Sequence, residues 1–425
     1  MLSKTNNDLL TQTDLGTPGG RLLRSYWQPI VTSEEMPIGG APMPLKVMDE
    51  ELVLFRDDQD RLGLIGLHCA HRGTDLSYGR VENGGLRCLY HGWLFDVNGA
   101  CLDQPAEPDD KKFCHKVRQT SYPVQESGGV IWAYMGEGEA PLIPDYQFLT
   151  GPAENRMVFR VVFACNWLQA LESSTDPAHT TYLHRLPTGY NSLLSAGNDV
   201  RALRGIEAPE IDIEHTSYGS RIYAIHNSPQ GGRYLRINNY VFPNLAVPNT
   251  STGEVGYSGR WYVPIDDETC SSFEFYYRHT EPLNKDVITK FRDENVAPDR
   301  RHVRRPENRY GQDRVAMKDD GPFAGMGRYF PAHDAFAVET QGAIQDRAAE
   351  HLGSTDIVII EVRKALFAAL KQMEETGQAP GLVRVKNDSG RPFHDFICTS
   401  VFVAEGEDGP SYCRRVLTER ADAAE

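Results

Sequence analysis

The chain has 425 residues, of which 40% are hydrophobic and 24% are charged. This apolar fraction supports a full core and excludes a largely disordered protein, and at about 150 residues per domain the length predicts two or three domains. The formal net charge of −15 at pH 7 argues against partners such as nucleic acid or an anionic membrane, because both need clustered basic residues. The sequence has neither a membrane-length apolar run nor an apolar signal core at its start, so we expect a cytoplasmic protein.

The first third of the sequence divides into a predicted helical part and a predicted β-rich part. Residues 1–45 predict a short helix at 7–13, a Gly- and Pro-rich turn at 16–20 and a second amphipathic segment after it. From 46 to 135 the sequence consists of short alternating strands separated by glycine, which predicts a small antiparallel β-domain. A Pro, Gly and acidic stretch at 136–152 is typical of the exit from such a domain.

The remainder of the sequence mixes strands and helices. Residues 156–165 predict a strand that leads into a helical segment at 166–184, and four or five further strands are expected between 210 and 280. The polar stretch 281–330 predicts a long loop, and an active-site lid is one interpretation of it. The clearest amphipathic helix is predicted at 356–375.

The strongest chemical signal is a pair of Cys/His motifs in the predicted β-domain. Cys69-Ala-His71 and Cys88-Leu-Tyr-His91 each offer one thiolate and one imidazole, and 16 residues separate His71 from Cys88. Tetrahedral zinc and a [2Fe–2S] centre both fit this ligand set. Zinc modules usually pair like ligands within one loop, whereas here each loop supplies one of each kind, as expected when both loops reach both irons. The other six cysteines show no paired pattern and are expected to be ordinary thiols.

The two motifs and the residues around them, through Gly73 and Gly92-Trp93, resemble the Rieske family. The resemblance implies a [2Fe–2S] cluster with Cys69 and Cys88 on one iron and His71 and His91 on the other. We expect the two glycines to let backbone N–H groups approach the cluster sulfurs, which would tune the reduction potential.

A second constellation lies in the predicted helical segment 166–184. His179 and His184 are five residues apart, which places them about 140° apart around a regular helix, so an unbroken helix would not direct both at one ion. A π-bulge or a break near Asp176-Pro177 would bring them together. Alone, two such histidines are more often structural than metal-binding.

Together with the first motif, this segment resembles the iron-binding helix of Rieske non-haem iron oxygenases, where an Asn-Trp start, an aspartate and two histidines recur in this order. The resemblance implies that His179 and His184 belong to a 2-His-1-carboxylate triad. It also implies that Asp176 bridges a cluster histidine and an iron-binding histidine. The third ligand is expected downstream, with Asp334 as our choice and Glu339 as the alternative.

Two further segments, residues 341–356 and the N-terminal residues 9–29, resemble the phthalate dioxygenase branch of this family. His333 is expected to face away from the iron. The fold class that this implies is α+β. We predict a helical segment at 1–45 packed on the catalytic domain, an all-β Rieske domain at 46–140, and a catalytic domain at 141–425. The catalytic domain is expected to have an antiparallel sheet with helices, in a START-like or helix-grip arrangement.

The implied activity is that of a terminal oxygenase. A ferrous ion that activates O2 needs a second electron on demand, which a one-electron cluster can supply. The family implies that electrons come from NAD(P)H through a separate reductase carrying FMN and a [2Fe–2S] centre, and this chain has no dinucleotide-binding fingerprint of its own. It also implies a head-to-tail homotrimer, or a hexamer built from it, with Asp176 at the subunit boundary.

The substrate expected from the resemblance is an aromatic carboxylate such as a phthalate-like acid, which would be ring-hydroxylated or O-demethylated. Such an anion favours a buried arginine, and Arg204 and Arg236 are the candidates that we select. The alternatives are a non-carboxylate aromatic or ether substrate, an electron carrier with a ligand-binding domain, and a zinc-stabilised interaction module.

Overall fold

The structure, a computed structural model, describes residues 1–185, 208–227, 232–248, 256–318, 322–385, 396–404 and 406–422. The α-helices in these ranges are α1 (Lys4–Thr11), α2 (Pro18–Arg24), α3 (Gln147–Thr150), α4 (Trp167–Thr175), α5 (Lys285–Asn295), α6 (Phe330–Glu339), α7 (Ile357–Thr376) and α8 (Gly409–Asp422). The strands are β1 (Gln28–Thr32), β2 (Met43–Val47), β3 (Glu50–Arg56), β4 (Leu62–Gly66), β5 (Arg80–Glu82), β6 (Gly85–Arg87), β7 (Leu94–Asp96), β8 (Cys101–Asp103), β9 (Ser121–Tyr122), β10 (Val124–Ser127), β11 (Val130–Ala133), β12 (Arg156–Phe163), β13 (Glu210–Thr216), β14 (Gly219–Asn227), β15 (Arg233–Val241), β16 (Leu245–Val247), β17 (Gly256–Pro264), β18 (Cys270–Arg278) and β19 (Thr399–Val403).

Side-chain caps fix the two helices at the start of the chain. The Ser3 side chain accepts a hydrogen bond from the Asn6 N–H, so α1 begins three residues before the predicted position. The Thr17 side chain caps α2, and Pro18 occupies the first turn, where its missing N–H costs nothing. The predicted turn at 16–20 is therefore wrong in its second half, because Pro18 starts a helix there.

The predicted small β-domain is present as antiparallel sheets. One has the order β2-β3-β4-β9 and another has the order β5-β6-β7-β8. Their apolar faces enclose a separate small core whose members include Val53, Phe55, Ile65, Leu86 and Phe95. This core holds the base of two loops, one after β4 and one between β6 and β7, and both predicted Cys/His motifs lie in them.

A third sheet joins the N-terminal segment to the end of the β-region, in the order β1-β11-β10. The predicted helical segment 1–45 thus also contains a strand, in which Gln28 pairs with Ala133. The proposed domain boundaries stay predictions.

The second half of the chain is built on one large antiparallel sheet. Its strand order is β12-β18-β17-β16-β15-β14-β13, and β19 pairs with β15. The long strands β14, β15, β17 and β18 are buried along almost their whole length, because helices and the N-terminal region cover the sheet. The α+β class predicted from the sequence is confirmed.

Helix α4 lies on this sheet, where it packs on β16 and β17 and also contacts α6 and α7. It ends at Thr175, and the next residue, Asp176, has extended backbone angles of φ −73° and ψ 118°. This conformation follows from Pro177, because a proline disfavours helical geometry in the residue before it. The predicted break is confirmed, and a short 3₁₀ turn at His179–Thr181 follows it.

The long loop predicted for 281–330 is wrong in one part, since α5 forms within it. The Asn284 side chain caps α5, and Ile288 and Phe291 supply a narrow buried side. The low apolar content of this segment concealed a helix that is amphipathic over only two turns. The helix predicted at 356–375 is confirmed as α7, which ends at Gly377 in the left-handed conformation. Within the described ranges, no helix has the length and apolar character needed to cross a bilayer.

A buried ionic cluster ties α4 to distant parts of the chain. The Glu172 carboxylate accepts hydrogen bonds from Arg347 Nη2 at 2.9 Å and from Arg363 Nε at 2.6 Å. Arg347 Nη1 also donates to Asn7 Oδ1 at 3.0 Å, which includes α1 in the cluster. Because all three charged groups are buried, each depends on the others to offset its desolvation.

Glu172→Gln should destabilise the protein by about 3 kcal/mol, because it removes the carboxylate that pairs with buried Arg347 and one of the two carboxylates that pair with Arg363, the other being Glu350. Burial raises the pKa of Glu172, but Arg347 and Arg363 outweigh that effect and hold it below 4.5. The contribution of Glu172 to stability is therefore fully present above pH 4.5 and is lost as pH falls through the lower folded-state pKa. Thermal unfolding midpoints at several pH values measure both effects.

Glu375→Gln, on the exposed surface of α7, is the matched control and should change stability by less than about 0.5 kcal/mol. An equal loss of stability in the two variants would contradict the role of the cluster.

Candidate active site

The two Cys/His loops have the same backbone construction. In the first, the Cys69 N–H donates to Thr74 O and the Gly73 N–H donates to Cys69 O, both at 2.8 Å. In the second, the Cys88 N–H donates to Trp93 O at 2.8 Å and the Gly92 N–H donates to Cys88 O at 3.0 Å. The matching bonds close two tight turns that present their side chains in the same way.

The four side chains of these motifs converge. Cys69 and Cys88 are each 3% exposed, and their thiols are in contact. The rings of His71 and His91 lie nearer the surface, with centroids 4.5 Å apart, and His71 stacks on Trp93 at 4.4 Å. The sulfur donors are therefore inside and the nitrogen donors outside, an order that suits a two-iron cluster with cysteine on its inner iron and histidine on its outer iron.

Backbone N–H groups approach the Cys69 sulfur, as expected, although they do not belong to the two glycines. The N–H groups of Gly73 and Gly92 close their own turns and do not donate to sulfur. Both glycines have positive φ, and a Cβ on Gly92 would lie 2.6 Å from Pro105 Cγ, so the turn geometry requires them. The Cys69 sulfur instead accepts hydrogen bonds from the backbone N–H groups of His71 and Arg72. Motif reading missed these donors because every residue has a backbone N–H.

The electrostatics of the buried sulfurs call for a cation. Burial raises the pKa of the Cys69 thiol to about 11, although the two backbone donors lower it. A thiolate at this position consequently needs a positive metal centre beside it. Burial, followed by the charges of His91 and Arg72, lowers the pKa of His71, which keeps that imidazole neutral and able to bind a metal. The donor set fits the implied cluster.

The break after α4 brings the second set of residues together. His179 Nε2 lies 3.2 Å from His184 Nε2. Asp334 Oδ1, from α6, is 3.0 Å from His184 Nε2 and 3.6 Å from His179 Nε2. The three donor atoms lie within 4.8 Å of one another, and Asp334 Oδ1 is buried without a hydrogen-bond partner. Such convergence of two imidazoles and a carboxylate fits a mononuclear iron ion.

The protonation states of this group also suit a metal. Burial lowers the pKa of His184 to about 4, so its ring is neutral at pH 7. Burial opposes ionisation of Asp334, but His184 and Arg260 outweigh it and hold the pKa of Asp334 far below its usual value. The cluster therefore offers two neutral or readily deprotonated nitrogens and one carboxylate.

Asp176 occupies a hinge position beside the cluster. Its Oδ2 lies 3.4 Å from His179 Nδ1, on the side of the ring opposite to Asp334. Its Oδ1 accepts a hydrogen bond from the Ala178 N–H at 2.7 Å. Its side chain is 19% exposed, so the carboxylate that orients His179 is partly accessible from outside.

Glu339 and His333, the two other residues near Asp334 that the sequence analysis considered, have different contacts. Glu339 accepts hydrogen bonds from the Ala164 N–H at 2.9 Å and the Tyr310 hydroxyl at 2.7 Å, so it is not among the converging groups. The His333 ring lies beside Leu183 O and Gly327 O, although its Nδ1 is 3.4 Å from His184 Nδ1. It contacts the back of His184 and stays outside the three-donor group.

Of the two arginines predicted to bind substrate, the structure describes only Arg236. Arg204 lies outside the described residues. Arg236, on β15, is buried and donates to Thr180 Oγ1 at 2.7 Å, which places its positive charge near His179. Arg233, on the same strand, pairs with the exposed Glu210 at 2.7 Å. Sequence analysis missed Arg260, whose Nη1 lies 3.0 Å from Asp334 Oδ2.

Comparison with known proteins agrees with this geometry. Residues 26–123 match the family described as Rieske [2Fe-2S] domain, and residues 133–399 match the family described as LigXa C-terminal domain like. The phthalate 4,5-dioxygenase oxygenase subunit of Pseudomonas putida is 34% identical over 398 residues, which cover 90% of this chain and 89% of the relative. The 3-chlorobenzoate-3,4-dioxygenase oxygenase subunit of Comamonas testosteroni is 31% identical over 398 residues, covering 89% and 91%.

Two further proteins are also similar to this chain. The tert-butanol monooxygenase / tert-amyl alcohol desaturase oxygenase subunit of Aquincola tertiaricarbonis is 34% identical over 410 residues, which cover 91% of this chain and 80% of the relative. Among solved structures, the NdmA QL mutant of Pseudomonas putida CBB5 with theobromine matches with a TM-score of 0.60 at 19% identity, covering 91% of this chain and 98% of that one. The predicted resemblance is confirmed: the chain belongs to the Rieske non-haem iron oxygenases, enzymes whose cofactors are a Rieske [2Fe–2S] cluster and a mononuclear iron.

Proposed function

We propose that this chain is the terminal oxygenase of a multi-component system that inserts oxygen from O2 into an aromatic carboxylate. Cys69, Cys88, His71 and His91 hold the cluster, while a separate triad holds the catalytic iron. The observation that carries the proposal is the convergence of His179 Nε2, His184 Nε2 and Asp334 Oδ1 at one buried point. When bound, the cluster supplies single electrons and the mononuclear iron uses them to reduce O2 beside the substrate.

The chain's own residues orient and gate this chemistry. Asp176 holds the His179 ring through Nδ1, which leaves Nε2 for the metal. This partly exposed carboxylate is accessible to a cluster histidine of a neighbouring subunit, so it would link the two centres across an interface. This arrangement needs a head-to-tail homotrimer, or a hexamer built from it. It also needs a reductase that carries FMN and a [2Fe–2S] centre and draws electrons from NAD(P)H.

The substrate class rests on the buried charge of Arg236. Arg236 lies on strand β15 of the large sheet, and its guanidinium lies close to His179. From this position it can face a substrate held beside the iron. A carboxylate is the natural partner of such a planar donor. Phthalate and 3-chlorobenzoate, named for two relatives, both carry a carboxylate.

A second candidate substrate class is a non-carboxylate alcohol, ether or aromatic. The relative named as a tert-butanol monooxygenase favours it, because that protein is 34% identical to this chain. The structure of the triad is neutral between the two classes. The remaining alternatives, an electron carrier or a zinc module, conflict with the buried triad, for which neither has a use.

His179→Ala should lower the iron content from about three per chain to about two, because the cluster keeps its iron and the triad loses a ligand. Metal analysis, together with the visible absorption of the cluster, measures the two sites separately. His215→Ala, on strand β13 away from the triad, is the control and should retain all the iron. Zinc in place of sulfide-bridged iron, or a wild-type protein that never binds the additional iron, would overturn the assignment.

Asp176→Asn should leave both iron sites filled but slow the oxidation of the reduced cluster at least tenfold when substrate and O2 are present. The amide cannot carry the negative charge that holds His179 and a cluster histidine together. Stopped-flow single-turnover absorbance measures the rate. Asp212→Asn, an exposed position on β13, controls for the loss of a surface charge. Wild-type rates in Asp176→Asn would remove this residue from electron transfer.

Arg236→Gln should reduce kcat/KM for an accepted aromatic acid by roughly ten- to a hundredfold, as expected for the loss of one charge-assisted hydrogen bond. The assay uses phthalates, phenoxybenzoates and methoxylated benzoates with a competent reductase, and product analysis identifies the accepted acid. Arg233→Gln, three residues away on the same strand, is the matched control. If the wild type consumes none of these acids but converts a neutral alcohol or ether, the second substrate class is correct.

A further inference from the structure

The two oxygens of Asp334 have different surroundings. Oδ1 faces the two histidine Nε2 atoms at 3.0 and 3.6 Å, and it has no hydrogen-bond partner. Oδ2 points the other way and accepts a hydrogen bond from Arg260 Nη1 at 3.0 Å. Since the Asp334 side chain is only 6% exposed, neither oxygen can turn freely toward bulk solvent to exchange these roles.

Arg260 is fixed by contacts from several elements. It lies on β17, between Ala246 of β16 and Glu274 of β18 in the strand register. Its side chain is 11% exposed, and Nη1 is also 3.3 Å from Ser174 Oγ on α4. The Ser174 hydroxyl in turn shares a hydrogen bond of 2.6 Å with the Tyr262 hydroxyl. The guanidinium is therefore held by the sheet and by helix α4, which ends just before the two histidines of the triad.

A carboxylate can bind a metal through one oxygen or through both. Asp334 Oδ2 is a poor second ligand, because moving it to the metal would break its hydrogen bond with the buried guanidinium of Arg260. Glu274 would then be the remaining carboxylate beside that cation. Binding a metal through Oδ1 would break no hydrogen bond, because this oxygen has no hydrogen-bond partner. The geometry thus favours binding through Oδ1 alone.

We propose that Arg260 is a positioning residue that reserves Asp334 Oδ2 and so limits Asp334 to one metal bond. This inference rests on the proposed function, since it takes Asp334 as the third iron ligand. The consequence is one additional coordination position for exchangeable ligands such as water. Arg260 touches neither substrate nor metal; it acts only through the carboxylate.

A purely structural role is the competing explanation, in which the Arg260–Asp334 pair only neutralises two buried charges. It predicts that loss of Arg260 lowers stability and leaves the coordination of a bound metal unchanged. A count of exchangeable water ligands separates the two explanations, because it does not depend on turnover.

The experiment uses the full-length protein with its oxidised cluster in place and Mn²⁺ loaded into the mononuclear site. Mn²⁺ favours six oxygen or nitrogen ligands, so three protein donors leave about three water positions and four leave about two. Water-proton relaxation should therefore fall by roughly a third in Arg260→Gln, as Oδ2 becomes free to bind. Arg221→Gln is the matched control, because Arg221 is a 7% exposed arginine on β14 of the same sheet and pairs with Glu214; its relaxation should equal that of the wild type.

Unchanged relaxation in Arg260→Gln, with Mn²⁺ still bound, would overturn the proposal. If that variant does not fold, Arg260→Gln combined with Glu274→Gln removes the buried carboxylate that lies beside Arg260, and the same decrease is expected from the double variant. Failure of the proposed function gives a different result, since the wild type would then not bind Mn²⁺ at this site, or Asp334→Ala would bind it equally well.

Discussion

The end of helix α4 at Thr175 determines where the chemistry of this protein can occur. A continuous helix would direct His179 and His184 about 140° apart, and no side-chain rotation corrects a difference of that size. Because Pro177 prevents Asp176 from continuing the helix, the chain turns through a short 3₁₀ segment and both imidazoles approach one point at 3.2 Å. The same extended residue presents its carboxylate to His179, so the break brings the two imidazoles together and places beside one of them the group that orients it.

The two metal-binding regions achieve rigidity by different means. The cluster loops depend on backbone geometry: each is a tight turn closed by its own N–H and carbonyl groups, with a glycine at positive φ. The triad depends on tertiary packing, since α4, α6 and the sheet must hold their relative positions for Asp334 to reach the histidines. The buried pairs of Glu172 with Arg347 and Arg363 support that packing from the other side of α4. Local turns suit a centre near the surface, and a buried charge cluster suits one inside.

Sequence reading succeeded where the chemistry is local and stopped where strand register decides. The Cys/His spacing is visible in short segments, so Cys69, His71, Cys88 and His91 could be named in advance. The break at Pro177 could also be anticipated, but His179 and His184 were selected as ligands only through the family resemblance. Asp334 required that resemblance as well, because it lies far along the chain from His184, which it contacts at 3.0 Å. Arg260 could not be predicted from the sequence. Its position beside Asp334 depends on the pairing of β17 with β18 and on the packing of α4 against the sheet, and nothing in the sequence Gly259-Arg260-Trp261 indicates either. The helix α5 was missed because its buried side is narrow.

The charges around the triad bear on the substrate class that we propose. Arg260 offsets the single negative charge of Asp334, and the two imidazoles are neutral ligands, so a bound divalent ion keeps most of its positive charge. Arg236 adds another buried cation close to His179, and Asp176 lies on the outward side of that ring. Glu274 lies beside Arg260 as a further buried carboxyl group, so Arg260 faces two carboxyl groups, within a chain of net charge −15. Long-range attraction cannot bring an anion to this protein, but desolvated charges at short range act in a low-dielectric interior where they are strongest. An aromatic acid of the proposed kind would gain from Arg236 only after it has entered, and a neutral ether or alcohol would gain nothing from it. The choice between the two substrate classes therefore depends on Arg236, whereas Arg260 acts on Asp334 and is neutral between them.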